Sequence, residues 1–139
     1  MMKLQTKLLT LGTALFLTST LYAQDAASLF DAKCAACHQT TRPNDKSTLV
    51  APPLMGVMRH VKMQYTSKEE AVKFITAYAL DPQVSKAVCK PENMKRFGIM
   101  PSQKGNVSKE ELQTIAAWMY DNFPPKGFTG MGRGQGEVK

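Results

Sequence analysis

Very little in this chain suits a zinc site, a membrane span, a β fold or a nucleic-acid binder. There are only three cysteines and two histidines in 139 residues, and the single Cys-x-x-Cys pair has no second ligand pair at similar spacing to complete a zinc cage. Nothing after residue 23 is apolar enough to cross a bilayer. Period-two alternation never runs beyond a few residues, no internal repeat is visible, and aromatics make up only 8% of the chain. Lys and Arg outnumber Asp and Glu by 18 to 11, yet they are spread along the chain and mixed with acids. Without a basic run the charge does not describe a nucleic-acid binder; it suits an acidic protein partner or an anionic surface.

Residues 1–23 read as a secretory signal peptide. A basic head, Met1 to Lys7, precedes a diluted apolar stretch from Leu8 to Leu21, and Tyr22-Ala23 places a small residue before Gln24. The apolar stretch is short for a bilayer anchor, and no Cys follows it to carry a lipid. Cleavage after Ala23 leaves residues 24–139, one small domain with a modest core. Losing Lys3 and Lys7 lowers the formal charge from +7 to about +5.

Helical periodicity organises the remainder. Asp25 is placed to cap a first helix with Ala26, Ala27, Phe30 and Cys34 on one face. The polar run Gln39 to Ser47 reads as a loop, continued to Val50 and followed by Ala51-Pro52-Pro53-Leu54. Ser67-Lys68-Glu69-Glu70 and Ser108-Lys109-Glu110-Glu111 are capping-box sequences. The first opens a helix through Ala71, Val72, Ile75 and Ala79, stopped by Asp81-Pro82. The second opens one through Leu112, Ile115, Ala116, Met119 and Phe123, stopped by Pro124-Pro125. Between them, Gln83 to Cys89 suggests a short helix ended by Pro91. Residues 126–139 place Gly at every second or third position and read as a disordered tail.

The chemistry is concentrated in Cys34-Ala35-Ala36-Cys37-His38. Cys-x-x-Cys-His is the attachment sequence for a c-type haem: two thiols one helical turn apart each add to a vinyl group, and the adjacent imidazole ligates the iron. A thioredoxin-like redox pair would want a βαβ context, which is missing. Such attachment resembles what bacteria carry out beyond the cytoplasmic membrane, so motif and leader agree on the periplasm.

The occupant of the second axial position separates electron transfer from chemistry on a bound small molecule. Candidates are His60, Cys89, Met55, Met58, Met63, Met94, Met100, Met119 and Met131. Met100 lies in Phe97-Gly98-Ile99-Met100-Pro101, a loop with a flexible Gly and a stiff Pro before the last capped helix, suited to holding a thioether over iron; Met94 is the runner-up. His60 reads as a surface or packing histidine. Cys89, without a partner, reads either as small hydrophobic packing or as the thiol of a disulfide-linked dimer or a reactive, redox-sensing thiol.

From Gln24 to about residue 123 the sequence resembles a class I c-type cytochrome: a helix entering Cys-x-x-Cys-His, a Pro-x-Leu segment fourteen residues on, a Met-Pro loop and a closing helix with an aromatic. The resemblance implies an all-α fold of four to five helices around one covalent haem c bound by Cys34 and Cys37, with the first and last helices crossing. It also implies iron ligation by His38 and Met100, a Pro52 carbonyl accepting from the His38 ring, Leu54 on the haem, and Trp118 near Phe30. Pro53 beside Pro52 leaves the choice of carbonyl open by one residue, and the segment Asp81 to Lys95 is longer than the family pattern. The function implied is a soluble one-electron carrier meeting acidic redox partners, with Lys33, Lys46, Lys62, Lys95 and Lys104 as candidate docking residues. The rival readings are a cytochrome subunit of a periplasmic oxidoreductase, for example one oxidising a sulfur anion, and an enzyme with an open iron.

Overall fold

The computed structural model describes residues 25–128. Among them the regular structure is all helical: α1 Ala26–Lys33, α2 Leu54–Gln64, α3 Lys68–Leu80, α4 Pro91–Phe97 and α5 Lys109–Asn122, with single 3₁₀ turns at Lys46–Thr48 and Val84–Lys86. The leader read over 1–23 and all but the first three residues of the tail read over 126–139 lie outside the described residues.

Helices α1, α3 and α5 start where a side chain can accept an orphan N–H, whereas α2 and α4 begin at Pro53 and Lys90 without a side-chain cap. The Asp25 carboxylate accepts from the Ser28 N–H at 3.3 Å. At α5 the box is complete: Ser108 Oγ accepts from the Glu111 N–H at 3.1 Å, and the Glu111 carboxylate accepts from the Ser108 N–H at 2.8 Å. At α3 only half of it forms. Ser67 Oγ accepts from the Glu70 N–H at 3.2 Å, but the Glu70 carboxylate takes the Ser67 hydroxyl at 2.9 Å instead of the backbone.

Two elements depart from the sequence expectation. Gln83 to Cys89 makes only the single turn Val84–Lys86, and Pro91 opens α4 where it was expected to end a helix. A proline at the first helical position loses no bond, because that N–H has no partner anyway, and its fixed φ suits the helix. Lys90 before it is extended, at φ −62° and ψ 150°, as the proline ring demands. The helix α2, absent from the sequence reading, begins directly after Pro53. Its Leu54, Met58 and Val61, spaced four and three apart, are 1%, 0% and 1% exposed, one apolar stripe buried along the helix.

The last helix is the hub of the packing: α1, α2 and α3 all pack on α5. Among the described residues Phe30, Leu54, Met58, Val61 and Ile115 are the largest fully buried side chains. The first and last helices meet through Phe30 and Trp118, ring centroids 5.2 Å apart, and Lys33 Nζ donates to the Asn106 carbonyl at 3.0 Å, tying the end of α1 to the approach of α5. Between the end of α2 and α3, Tyr65, Phe74 and Tyr78 stack in series with ring centroids 4.6 and 5.6 Å apart.

These contacts rank two substitutions. Phe30→Ala should lower the unfolding free energy of the haem-bearing protein by about 3–5 kcal/mol. Ser108→Ala, which removes one half of the exposed box, should cost about 1 kcal/mol. Urea titrations followed by helical circular dichroism check both, and an equal loss for the two variants would contradict the packing described.

Candidate functional site

Helix α1 delivers the attachment motif as one further hydrogen-bonded turn. The Cys34 N–H donates to the Phe30 carbonyl at 2.8 Å, the Cys37 N–H to the Cys34 carbonyl at 3.1 Å, and the His38 N–H to the same carbonyl at 2.9 Å. Both thiols are free, Cys37 exposed and Cys34 half-buried. Burial first, and then the neighbouring Cys37, push the Cys34 thiol up to about 11, against a smaller opposing pull from Lys33. Redox-active Cys-x-x-Cys pairs depend on a depressed pKa; here the thiol is held in its S–H form.

His38 is oriented by a bond 14 residues along the chain. Its Nδ1 lies 2.9 Å from the Pro52 carbonyl oxygen, and a carbonyl only accepts, so Nδ1 carries the proton. Burial holds the His38 pKa below its ordinary value, with the Pro52 bond acting in the opposite direction. The ring is therefore neutral at pH 7 with its lone pair on Nε2, the state a metal ligand needs. The carbonyl is that of Pro52 and not of Pro53, whose own oxygen accepts from the N–H groups of Gly56 and Val57 as α2 starts. A second link, from the Leu54 N–H to the Gln39 carbonyl at 2.9 Å, runs beside the first. It was not foreseen, since nothing in a glutamine's identity reports where its backbone carbonyl will point.

The Met100 loop is fixed at both ends. Gly98 closes α4 at φ 72°, a left-handed conformation that glycine adopts at no steric cost. Beyond Pro101, Ser102 Oγ donates to the Leu80 carbonyl at 2.6 Å and the Gln103 N–H to the Ala79 carbonyl at 2.8 Å, so the loop is stitched to the end of α3. Met100 is half-buried against the same core that Cys34 packs on. Its rivals lie elsewhere: Met58 and Met119 are buried within α2 and α5, and Met63 is 68% exposed. Met94 is half-buried on α4, and Met131 lies outside the described residues. His60 and Cys89 line a separate cleft on the other face of α2.

Among the described residues no group of three His, Cys, Asp or Glu side chains could hold a bare metal ion. The donors present are a neutral imidazole, a thioether and two free thiols beside apolar side chains. That set fits iron supplied within a macrocycle, with the thiols available for thioether bonds.

A helical domain with this attachment turn is a haem-binding domain. The profile of the cytochrome c family matches residues 23–122, and the chain belongs to that family; it is a c-type cytochrome with one covalently bound haem c. An uncharacterised protein of Aquifex aeolicus (strain VF5) is 30% identical over 113 residues, covering 72% of this chain and 74% of the relative. No solved structure matches the chain.

The attachment sequence predicts haem bonded through both Cys34 and Cys37. Acidified acetone should leave the colour with the polypeptide, and the mass of the protein from cells competent in cytochrome maturation should show one added haem. Single Cys34→Ala and Cys37→Ala variants should each retain one thioether bond at most; extraction of the haem from the parent protein would contradict double attachment.

Proposed function

We propose that the protein is a periplasmic one-electron carrier whose haem iron is ligated by His38 Nε2 and the Met100 sulfur, with thioether bonds from Cys34 and Cys37 and Leu54 against the ring. The observation that carries this reading is the Met100 loop, held at Gly98 and again at Ser102 and Gln103, with its thioether on the core that also seats Cys34. Bound haem supplies a reversible one-electron couple. The chain supplies everything else: the Pro52 carbonyl fixes the tautomer and orientation of His38, and a thioether in the second position raises the potential relative to two histidines and closes the iron to small molecules.

Export follows from the leader over 1–23, with residues 24–125 as the cytochrome domain and 126–139 as a tail. No helix among the described residues is long and apolar enough to cross a membrane. Redox partners follow from the family, and a basic mature surface favours acidic ones. Of the five docking lysines, Lys33 is engaged by the Asn106 carbonyl and Lys62 lies 4.5 Å from the Tyr120 ring centroid. Lys46, Lys95 and Lys104 are exposed and carry the docking reading best. Burial pushes the Cys89 thiol up, which favours packing over a disulfide-linked dimer.

Met100→Ala should abolish the weak near-infrared sulfur-to-iron band of the oxidised protein and admit cyanide or carbon monoxide, while Met94→Ala should leave the band in place. The reverse pattern transfers the ligand to Met94. A carrier dissociates between its partners, whereas a subunit of an oxidoreductase does not. Electron transfer to an acidic acceptor should therefore slow as salt shortens the steering field to about 10 Å at 0.1 M. Haem stain confined to a large salt-resistant complex on native gels of periplasm would replace the carrier by the subunit.

A further inference from the structure

Helix α2 buries Leu54, Met58 and Val61 on one side and turns Arg59 and His60 toward a cleft of about 400 Å³, within the about 300–1,000 Å³ of small-molecule sites. The 42–53 loop forms a second wall and α4 with the residues before it a third. Arg42, Lys46, Arg59, His60, Lys90 and Arg96 all line it, and no carboxylate does. None of these six takes part in either ion pair formed among the described residues. Collecting the cations Arg42, Lys46, Arg59, Lys90 and Arg96 without acids costs repulsion that a surface mixed in sign would avoid. One of them is already positioned: the Arg96 guanidinium donates across the cleft to the Lys46 carbonyl and lies 4.7 Å from the Phe97 ring centroid, leaving further N–H donors for a ligand.

We propose that this cleft is a binding site for a small carboxylate or other oxyanion bearing more than one negative charge, gripped by Arg59 and Arg96 from facing walls. The segment Asp81 to Lys95, longer than the simple family pattern, supplies Cys89, Lys90 and Asn93 to it. Such carboxylates have two sources, a free solute or the carboxylates of the haem itself. The solute is favoured, because Cys34, Cys37, His38, Leu54 and Met100 are absent from the lining and Pro52 alone is shared with the haem site. The inference stands whichever residue is the iron's sixth ligand.

His60 is a built-in reporter. Burial first, then Arg59 on its own helix and Lys90 from the opposite wall, hold its pKa below the ordinary value; Arg42, Lys46, Arg96 and Cys89 complete the titratable and charged lining. A bound anion reverses the charge at the ring, so His60 should titrate higher when the site is filled, and binding should strengthen as the pH falls through that range.

The test uses the haem-bearing full chain at low ionic strength, with citrate as the probe and chloride at matched ionic strength as the control. Calorimetry should show saturable citrate binding, the His60 ring proton should move and titrate higher, and Arg59→Gln and Arg96→Gln should each weaken binding about tenfold while Lys109→Gln does not. If the haem carboxylates are the occupant, citrate will have no specific effect, but both variants will shift the reduction potential and its pH dependence. Lys46→Gln and Lys90→Gln, exposed positions, give the same readouts if an arginine variant fails to fold. Citrate acting only as chloride does, together with an unchanged potential in the variants, overturns the site.

Discussion

The hydrogen bond from His38 Nδ1 to the Pro52 carbonyl, 2.9 Å, is the constraint on which the rest of the site depends. It sets the imidazole's tautomer, leaves the lone pair on Nε2, and folds the chain between residues 38 and 52 back onto the attachment turn. The parallel link from Leu54 to Gln39 makes the closure two-point, so Leu54 enters the core where α2 begins. A neutral ring inside such a clamp offers a lone pair and cannot rotate away from the position it faces. Because a domain of this size has a modest core of its own, a ligand held there also becomes part of the folding free energy.

Around that clamp the chain separates two electrostatic environments. On the haem side the charges are removed: Cys34 stays protonated, His38 stays neutral, and the surrounding side chains are apolar. On the opposite face of α2 they are concentrated, with cationic side chains converging on one cleft. One helix thus has its apolar stripe against the core and its basic face on a cleft that α4 also lines.

Legibility in the sequence followed the range of the interactions. The attachment motif, the Asp25 cap, the Ser67 and Ser108 starts and the stop at Asp81-Pro82 are all set within a few residues, and each was readable. Leu29 was missed from the buried face of α1 because the reading followed the alanines. Helix α2 was missed because Pro52-Pro53 reads as loop and Gly56 dilutes the pattern, although the stripe Leu54, Met58, Val61 was there to be found. The fourth helix was missed because proline is ambiguous, ending a helix by its missing N–H yet favoured at the first position. The Gln39–Leu54 link and the basic cleft depend on residues far apart in sequence, and local patterning carries no signal for either.

The central claim is that His38 and a methionine sulfur at position 100 share the iron of a covalently attached haem. X-ray absorption at the iron edge of the oxidised protein tests it most directly. The account requires a single sulfur scatterer beside the nitrogens of the porphyrin and His38, lost in Met100→Ala. A shell of nitrogen and oxygen scatterers alone in the parent protein would contradict it.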